Sequence, residues 1–309
     1  MAIDPAAGFR DIGSATMNYI PEVWSGQLLT SFYDNTVCGS ITNTNWQGEI
    51  KGVGNTVRIR TVPRISINAV KKGQNLVFEQ PESTSVDLTI DYADAWSFIT
   101  DSIDNVQTDI KNYADLWIQD AAEGLAIETD TNILSAVYSD AHASNQGATA
   151  GYRSANINLG VSGTPLALTK TNIIEKIVDL GVVMDEQNAP KDRFLVMPPS
   201  LCALVAKSDL KDASLAGDGK SILRNGLLGR IWNFEIYASN LLTTTSDGGH
   251  TVYNCVFGTK EAIAFADQIT ENKVTDNPFG FGWLHKGLHV YGFKTVKPEA
   301  LGWLYAYGA

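Results

Sequence analysis

The chain has 309 residues, enough for one large core or for two domains on a shared framework. Apolar residues make up 44% and charged residues 18%, a globular composition that argues against both disorder and a membrane-embedded chain. With 34 acids against 23 bases the formal net charge is −11, which disfavours tight nucleic-acid binding, because that depends on lysine and arginine displacing counterions from phosphates.

Cys38, Cys202 and Cys255 are an odd, widely spaced trio, which argues against a disulfide framework and fits a reducing compartment. Residues 1–20 carry acids early and no apolar block, so no signal peptide is expected, and no apolar run is long enough to cross a bilayer. The sequence holds no Asn-x-Ser/Thr sequon.

Residues 1–47 read as an arm. Glycines and small polar residues lead into Tyr19-Ile20-Pro21-Glu22-Val23-Trp24-Ser25, then a short amphipathic helix over Trp24–Asp34 with Val23, Leu28 and Phe32 on its apolar side. So short a helix is marginal alone in water and needs a surface to lie on.

Asn55–Asp91 alternates on both legs. Val57, Ile59, Ile65 and Ile67 alternate with polar residues going out, and Val86, Leu88 and Ile90 do so on the return, which predicts a β-hairpin. Lys71-Lys72-Gly73-Gln74-Asn75 is its charged turn, with a glycine for positive φ. Pro63 and Pro81 each delete a ladder donor, dividing the hairpin into a paired base and a looser outer arm. Such a ribbon reaches roughly 50 Å, and isolated two-stranded ribbons invite pairing with other chains. Docking on another subunit is expected, the alternative being a ribbon folded onto its own body.

Ala93–Thr100 is a short strand feeding the one long helical pattern, Asp104–Val137. Val106, Ile110, Tyr113, Trp117, Ala121, Leu125, Thr129, Ile133 and Val137 line one face, with Asp109, Asn112, Gln119, Glu123 and Asp130 opposite. Asp104 with Gln107 suggests a capping box, and the helix would run roughly 50 Å, a spine covered on two sides.

Ser139–Gly163 is expected as a long surface connection. Thr171–Gln187 predicts a helix with Ile173, Ile174, Ile177, Val178 and Val182 inward, an Asn172/Glu175 capping box and a stop at Ala189-Pro190. Phe194–Met197 is a buried strand, and Pro198-Pro199-Ser200 starts a helix through Lys207, which together describe an α/β lobe. Ser208–Gly226 is a polar loop. Arg230–Ala238, Thr251–Phe257 and Ala262–Ala266 are strands, with Asp247-Gly248-Gly249 a hairpin turn between the first two. The tail, Phe279–Tyr307, is aromatic and β-rich, and its first part should share a layer pair with the spine helix and the 93–100 strand.

Chemical motifs are weak. Gly217-Asp218-Gly219-Lys220-Ser221 echoes a phosphate loop, but Ser214 stands where that motif needs a glycine. His285 and His289 lie on a strand pattern that holds them about 13 Å apart, too far to chelate one ion. No nucleophile elbow or Cys–His pairing is present, and Asp101, Asp104, Asp185 and Glu186 are acids of the kind helix ends collect. No catalytic, cofactor-binding or metal-ligating residue, and no cofactor, is expected.

The order of elements resembles the major capsid proteins of tailed bacteriophages, an α+β HK97-like fold. Tyr19–Ser25, Thr56–Ile90, Phe194–Leu204 and Gly226–Leu241 (GLLGRIWNFEIYASNL) carry the resemblance. It implies an N-terminal arm at 1–47 and an extended loop at 48–92. A peripheral domain at 93–150 and 268–296 would hold the spine helix, and an α/β axial domain would take 151–267 and 297–309. It implies a self-assembling subunit of hexamers and pentamers, forming an icosahedral shell around double-stranded DNA held without sequence-specific binding. Because Met1 lies close to the arm motif, a separate scaffolding protein is expected, beside a portal. No matching lysine, asparagine and acid trio is found for the covalent crosslink of some relatives. The expected location is the virion, assembled in the host cytoplasm, with no membrane partner. Trp24, Phe32, Arg58, Arg60, Arg64, Ile65, Ile67, Lys71, Lys72 and Phe78 are the candidate intersubunit contacts. The alternatives are an encapsulin-type compartment holding cargo enzymes and, from another class, an α/β enzyme.

Overall fold

The computed structural model of the chain describes residues 36–46, 55–63, 65–73, 75, 78–103, 113–208 and 230–309. The expected Trp24–Asp34 helix, the Asp104/Gln107 cap with Val106 and Ile110, and the Gly217–Ser221 loop lie outside them.

Three sheets and one long helix organise the described residues. Strands β1 (Thr56–Arg60) and β2 (Ser85–Thr89) form a two-stranded antiparallel ribbon, with Arg58 opposite Asp87. Strand β3 (Tyr92–Asp101) pairs with β11 (Gly282–Thr295), which pairs with β10 (Ile263–Asp276), all antiparallel. The third sheet runs in the order β4-β12-β9-β5-β7-β6, with β8 also on β9. Its strands are β4 (Leu166–Leu168), β5 (Arg193–Met197), β6 (Arg230–Ile231), β7 (Phe234–Ala238), β8 (Thr244–Asp247), β9 (His250–Thr259) and β12 (Leu301–Gly308). Strand β5 runs parallel to β7 and antiparallel to β9, so the lobe is mixed.

The helices are α1 (Cys38–Ile41), the spine helix α2 (Tyr113–Val137), α3 (Ile173–Glu186) and α4 (Pro199–Lys207). All five residues of β5 are buried, as the run Phe194–Met197 demands of a central strand. Ile177, Leu180 and Met184 of α3 and Leu201 and Val205 of α4 join β5 and β9 in one core. Ile133, Leu134 and Val137 bring the C-terminal end of α2 into that same core. The N-terminal half of α2 lies over the three-stranded sheet, where the Phe98 and Trp117 rings meet at right angles, as the layer-pair expectation required.

Several expectations are corrected. Asp130, placed on the polar face of the spine, is 2% exposed, and its carboxylate accepts the backbone N–H groups of Val37 and Cys38, tying α1 to the helix. Trp117, placed on the apolar face, does pack against Phe98 of β3 but stays 44% exposed. In α3, Val182 points outward and Leu180, Val183 and Met184 are buried instead. Asn172 stands at the N-cap without capping: its Oδ1 accepts from the Thr169 N–H at 2.8 Å and its amide donates to the Ala167 carbonyl. The 139–163 connection is not all surface, because Asn145 and Leu159 are fully buried and Asn145 Nδ2 donates to the Glu299 and Leu301 carbonyls. Arg230–Ala238 is two strands folded back at Trp232-Asn233, with Trp232 at φ 50°. Gly248-Gly249, at φ 58° and 80°, turns β8 into β9 and does not link the 230–238 region to β9. Strand β10 extends to Asp276, well past the expected Ala266.

Helix α3 stops as predicted before Pro190, and the device is visible. Asn188 sits at φ 59°, its N–H reaching the Asp185 carbonyl and the Ala189 N–H reaching Met184, a Schellman closure built on asparagine. The buried Arg193 guanidinium then donates to the Gly181, Ala189 and Pro190 carbonyls and to Asp185 Oδ1 at 2.6 Å, a cation where the helix dipole favours one.

Candidate intersubunit surface

The ribbon has two regimes. At its base, Val57, Ile59, Leu88 and Ile90 are buried against Ala264, Ala266 and Val296, a small core separate from the main one. Burying Leu88 alone contributes about 2 kcal/mol. Arg58 and Asp87 face each other on the outer side in a two-pronged pair at 2.8 and 3.1 Å. Hydrogen bonding holds the Asp87 carboxyl below the ordinary carboxylate range and raises the Arg58 guanidinium.

Pairing continues one step past the strands, where the Thr61 N–H donates to the Thr84 carbonyl at 2.9 Å. Pro63 and Pro81 follow, and the described residues beyond them carry no ladder, which is the division the two prolines predicted. The legs part around an open cleft of about 530 Å³ lined by Val62, Pro63, Glu79 and Pro81 among others. Across the outer arm, Glu79 accepts from the Ser66 N–H at 2.9 Å and from its hydroxyl. Gly73, at φ 89°, makes the turn.

The outer arm leaves its apolar residues in water: Ile67 is 99% exposed, Phe78 91% and Ile65 65%. Lys71 and Lys72 are exposed at the tip and Arg60 at the last rung of the ladder. Arg58 is engaged within its own ribbon, and Trp24, Phe32 and Arg64 lie outside the described residues. Sequence reading passed over Val62, 94% exposed, because it sits off the alternation beside Pro63. It also left out Phe279 and Phe281, 97% and 86% exposed around the β10–β11 turn, whose flanking glycines mark an exposed tip.

His285 and His289 sit on β11 as expected. The His285 ring stacks on Phe98 and its Nε2 lies 3.2 Å from Thr100 Oγ1, while His289 stacks on Tyr291. Tyr291 donates to Asp94 and accepts from Asn132 of the spine helix, joining helix to sheet. Burial pushes the Cys38 thiol up to about 12 and holds Cys202 and Cys255 in the unreactive thiol form. These are structural uses of residues that elsewhere do chemistry.

A family model described as phage capsid protein matches residues 81–304. The chain belongs to that family. It is a structural, non-enzymatic protein of the phage virion, and it self-assembles into a capsid shell. No curated protein matches the sequence. A solved structure from Mycobacterium phage Che8 is 25% identical at a TM-score of 0.72, covering 94% of this chain and 98% of that one. The capsid of cyanophage P-SCSP1u superposes at 0.71 with 16% identity, covering 94% of this chain and 93% of its own. The capsid of Ralstonia phage GP4 superposes at 0.65 with 13% identity, covering 96% and 99%. The fold is the HK97-like capsid fold, which accounts for the ribbon, the spine helix and the mixed lobe as parts of one architecture. Among the described residues no helix is long and apolar enough to cross a membrane.

Proposed function

We propose that this phage capsid protein is the major shell subunit, closing as hexamers and pentamers into an icosahedral container for double-stranded DNA. The observation that carries this reading is the hairpin: its base is built into the subunit while its outer arm exposes Val62, Ile67 and Phe78 almost completely. Three large apolar side chains left so fully in water on one hairpin arm mark an interaction surface, and a neighbouring copy is the natural cover.

In this reading residues 1–47 are the N-terminal arm and 48–92 the extended loop. Residues 93–150 with 268–296 form the peripheral domain, and 151–267 with 297–309 the axial domain. Ile65, Ile67, Lys71, Lys72 and Phe78 make intersubunit contacts, joined by Trp24, Phe32, Arg60 and Arg64. A separate scaffolding protein and a portal complete assembly in the host cytoplasm. The net charge of −11 suits a wall that encloses DNA without adhering to phosphates, so DNA is held by confinement and not by sequence.

Electron microscopy of the purified full chain tests this. Closed shells with five-fold and six-fold capsomers are expected, and a chain that stays monomeric at assembly concentrations would contradict it. Nucleic acid in native particles, against protein cargo, separates the DNA container from an enzyme compartment.

A further inference from the structure

The mixed lobe brings two of the three cysteines to one place. Strand β5 passes through Pro198 directly into α4, which turns Leu201, Cys202 and Val205 into the core. The Cys202 thiol points at the Met197 carbonyl oxygen, 3.9 Å away, so it stands over the C-terminal end of β5. That end lies beside β9. Leu195 pairs with Phe257 and Val196 with Val256, and the next step of the same register sets Met197 opposite Cys255.

Strand β12 fixes the face. A carbon added at Gly308 would stand 3.5 Å from Leu201 Cδ2 and 3.6 Å from Leu204 Cδ1, so that side of β12 looks at α4. Leu304 lies on the same side by strand alternation and pairs with Cys255 across the antiparallel ladder. The Cys255 side chain therefore projects toward α4, where Cys202 is the facing sulfur. Both are buried, Cys255 completely. Burial pushes the Cys202 thiol up to about 11 and the Cys255 thiol higher still, with Cys202 beside it adding to the rise.

We infer that Cys202 and Cys255 are a latent dithiol, which closes to a disulfide within the subunit and pins α4 to β9 when the virion meets a low-molecular-weight disulfide outside a reducing compartment. The step is thiol–disulfide exchange. The Cys202 thiolate, the less buried of the two, attacks one sulfur of the small disulfide and expels a thiolate. The Cys255 thiolate then attacks the Cys202 sulfur of that mixed disulfide and expels the second. Two protein thiols lose two electrons, the small disulfide gains them, and both protons pass to the two small thiols released. The closed core disfavours thiolates, so the exchange runs through local opening of α4 and is slow. Once made, the bond closes a long loop around β6, β7 and β8, which restricts the unfolded chain. Cys38 takes no part, its Sγ lying 3.8 Å from the Thr42 hydroxyl at the end of α1.

The test treats the reduced full chain with oxidised glutathione, in urea kept below the unfolding transition so that access to the core is not limiting. Free thiols are then alkylated and the chain is digested. Mass spectrometry should find one peptide pair joined through Cys202 and Cys255, with Cys38 alone alkylated. The oxidised chain should melt about 5 °C above the reduced one, and a reductant should abolish the difference. Cys202→Ser and Cys255→Ala should each lose both the link and the rise. Cysteines that all stay free, glutathione adducts on Cys202 or Cys255 without a link, a bond to Cys38, or a linked chain that melts no higher overturns the proposal. Should a variant misfold, the unaltered chain decides by its linked peptides alone. Because the bond lies within one subunit, the result stands apart from whether shells form.

Discussion

Gly292 on β11 lies directly beneath the Thr89 carbonyl at the end of β2: a carbon added there would stand 2.2 Å from that oxygen and 2.8 Å from the Ile90 Cα. The hairpin therefore leaves the body by crossing β11 at a point that admits no side chain. Both neighbours are backbone, so neither can rotate away. Gly292→Ala should lower stability by about 1–3 kcal/mol and tilt the ribbon base. Thermal unfolding reads the first effect. Electron microscopy reads the second, as a fall in closed shells larger than the stability loss alone produces in a control core variant.

Asp130 anchors a second distant segment to the spine helix. Its buried carboxylate receives the Val37 and Cys38 amides from a segment far away in sequence. Asp130→Ala leaves both donors without their acceptor, at a cost of about 1–3 kcal/mol. Hydrogen exchange should show residues 36–46 opening first, ahead of α2. Protection there equal to that of the unaltered chain would remove Asp130 from its anchoring role.

Two carboxylates give opposite responses to pH. Burial raises the Asp130 carboxyl above its ordinary range in spite of the amide donors, so the folded chain holds that proton more tightly than the unfolded one. Its contribution to stability is then fully present at low pH and declines as pH rises through the folded value. Glu186 is the reverse case. The Arg153 and Ser154 amides, at 2.7 and 3.1 Å, hold it below the ordinary range, so its contribution is present at neutral pH and declines on acidification. Unfolding measured from pH 7 down to about pH 3 should lose part of its acid sensitivity in Glu186→Gln and gain acid sensitivity in Asp130→Asn.

Asn188 offers a local check. It occupies the left-handed position that closes α3, where glycine is free of side-chain strain. Asn188→Gly should be neutral or slightly stabilising, and Asn188→Ala should cost about 1 kcal/mol, both read from denaturant midpoints.

What the sequence made legible follows its periodicities. The alternation of Val57, Ile59, Leu88 and Ile90 placed the ribbon, and Pro63 and Pro81 located where its pairing ends, because the missing amide is a property of the residue itself. The all-apolar Phe194–Met197 run placed the central strand of the lobe. The misses share another cause. Asp130 looked like a surface acid, since its partners, Val37 and Cys38, are brought to it only by the fold. Trp232 holds a turn at φ 50° without being a turn residue, which hid the break between β6 and β7. Val182 fell on the expected stripe, but α3 is rotated so that Val183 and Met184 meet the sheet. Of the candidate contact surface, the exposed arm was readable from its pattern.

The most direct test removes Val62–Pro81 and joins the two legs with a short turn. The ribbon base, with Val57, Ile59, Leu88 and Ile90, stays intact, so the shortened chain should fold, with circular dichroism and unfolding close to those of the full chain. Sedimentation and electron microscopy should find it as small soluble units at concentrations where the full chain forms closed shells. Closed shells of normal size from the shortened chain would contradict the claim that the outer arm holds neighbouring subunits together.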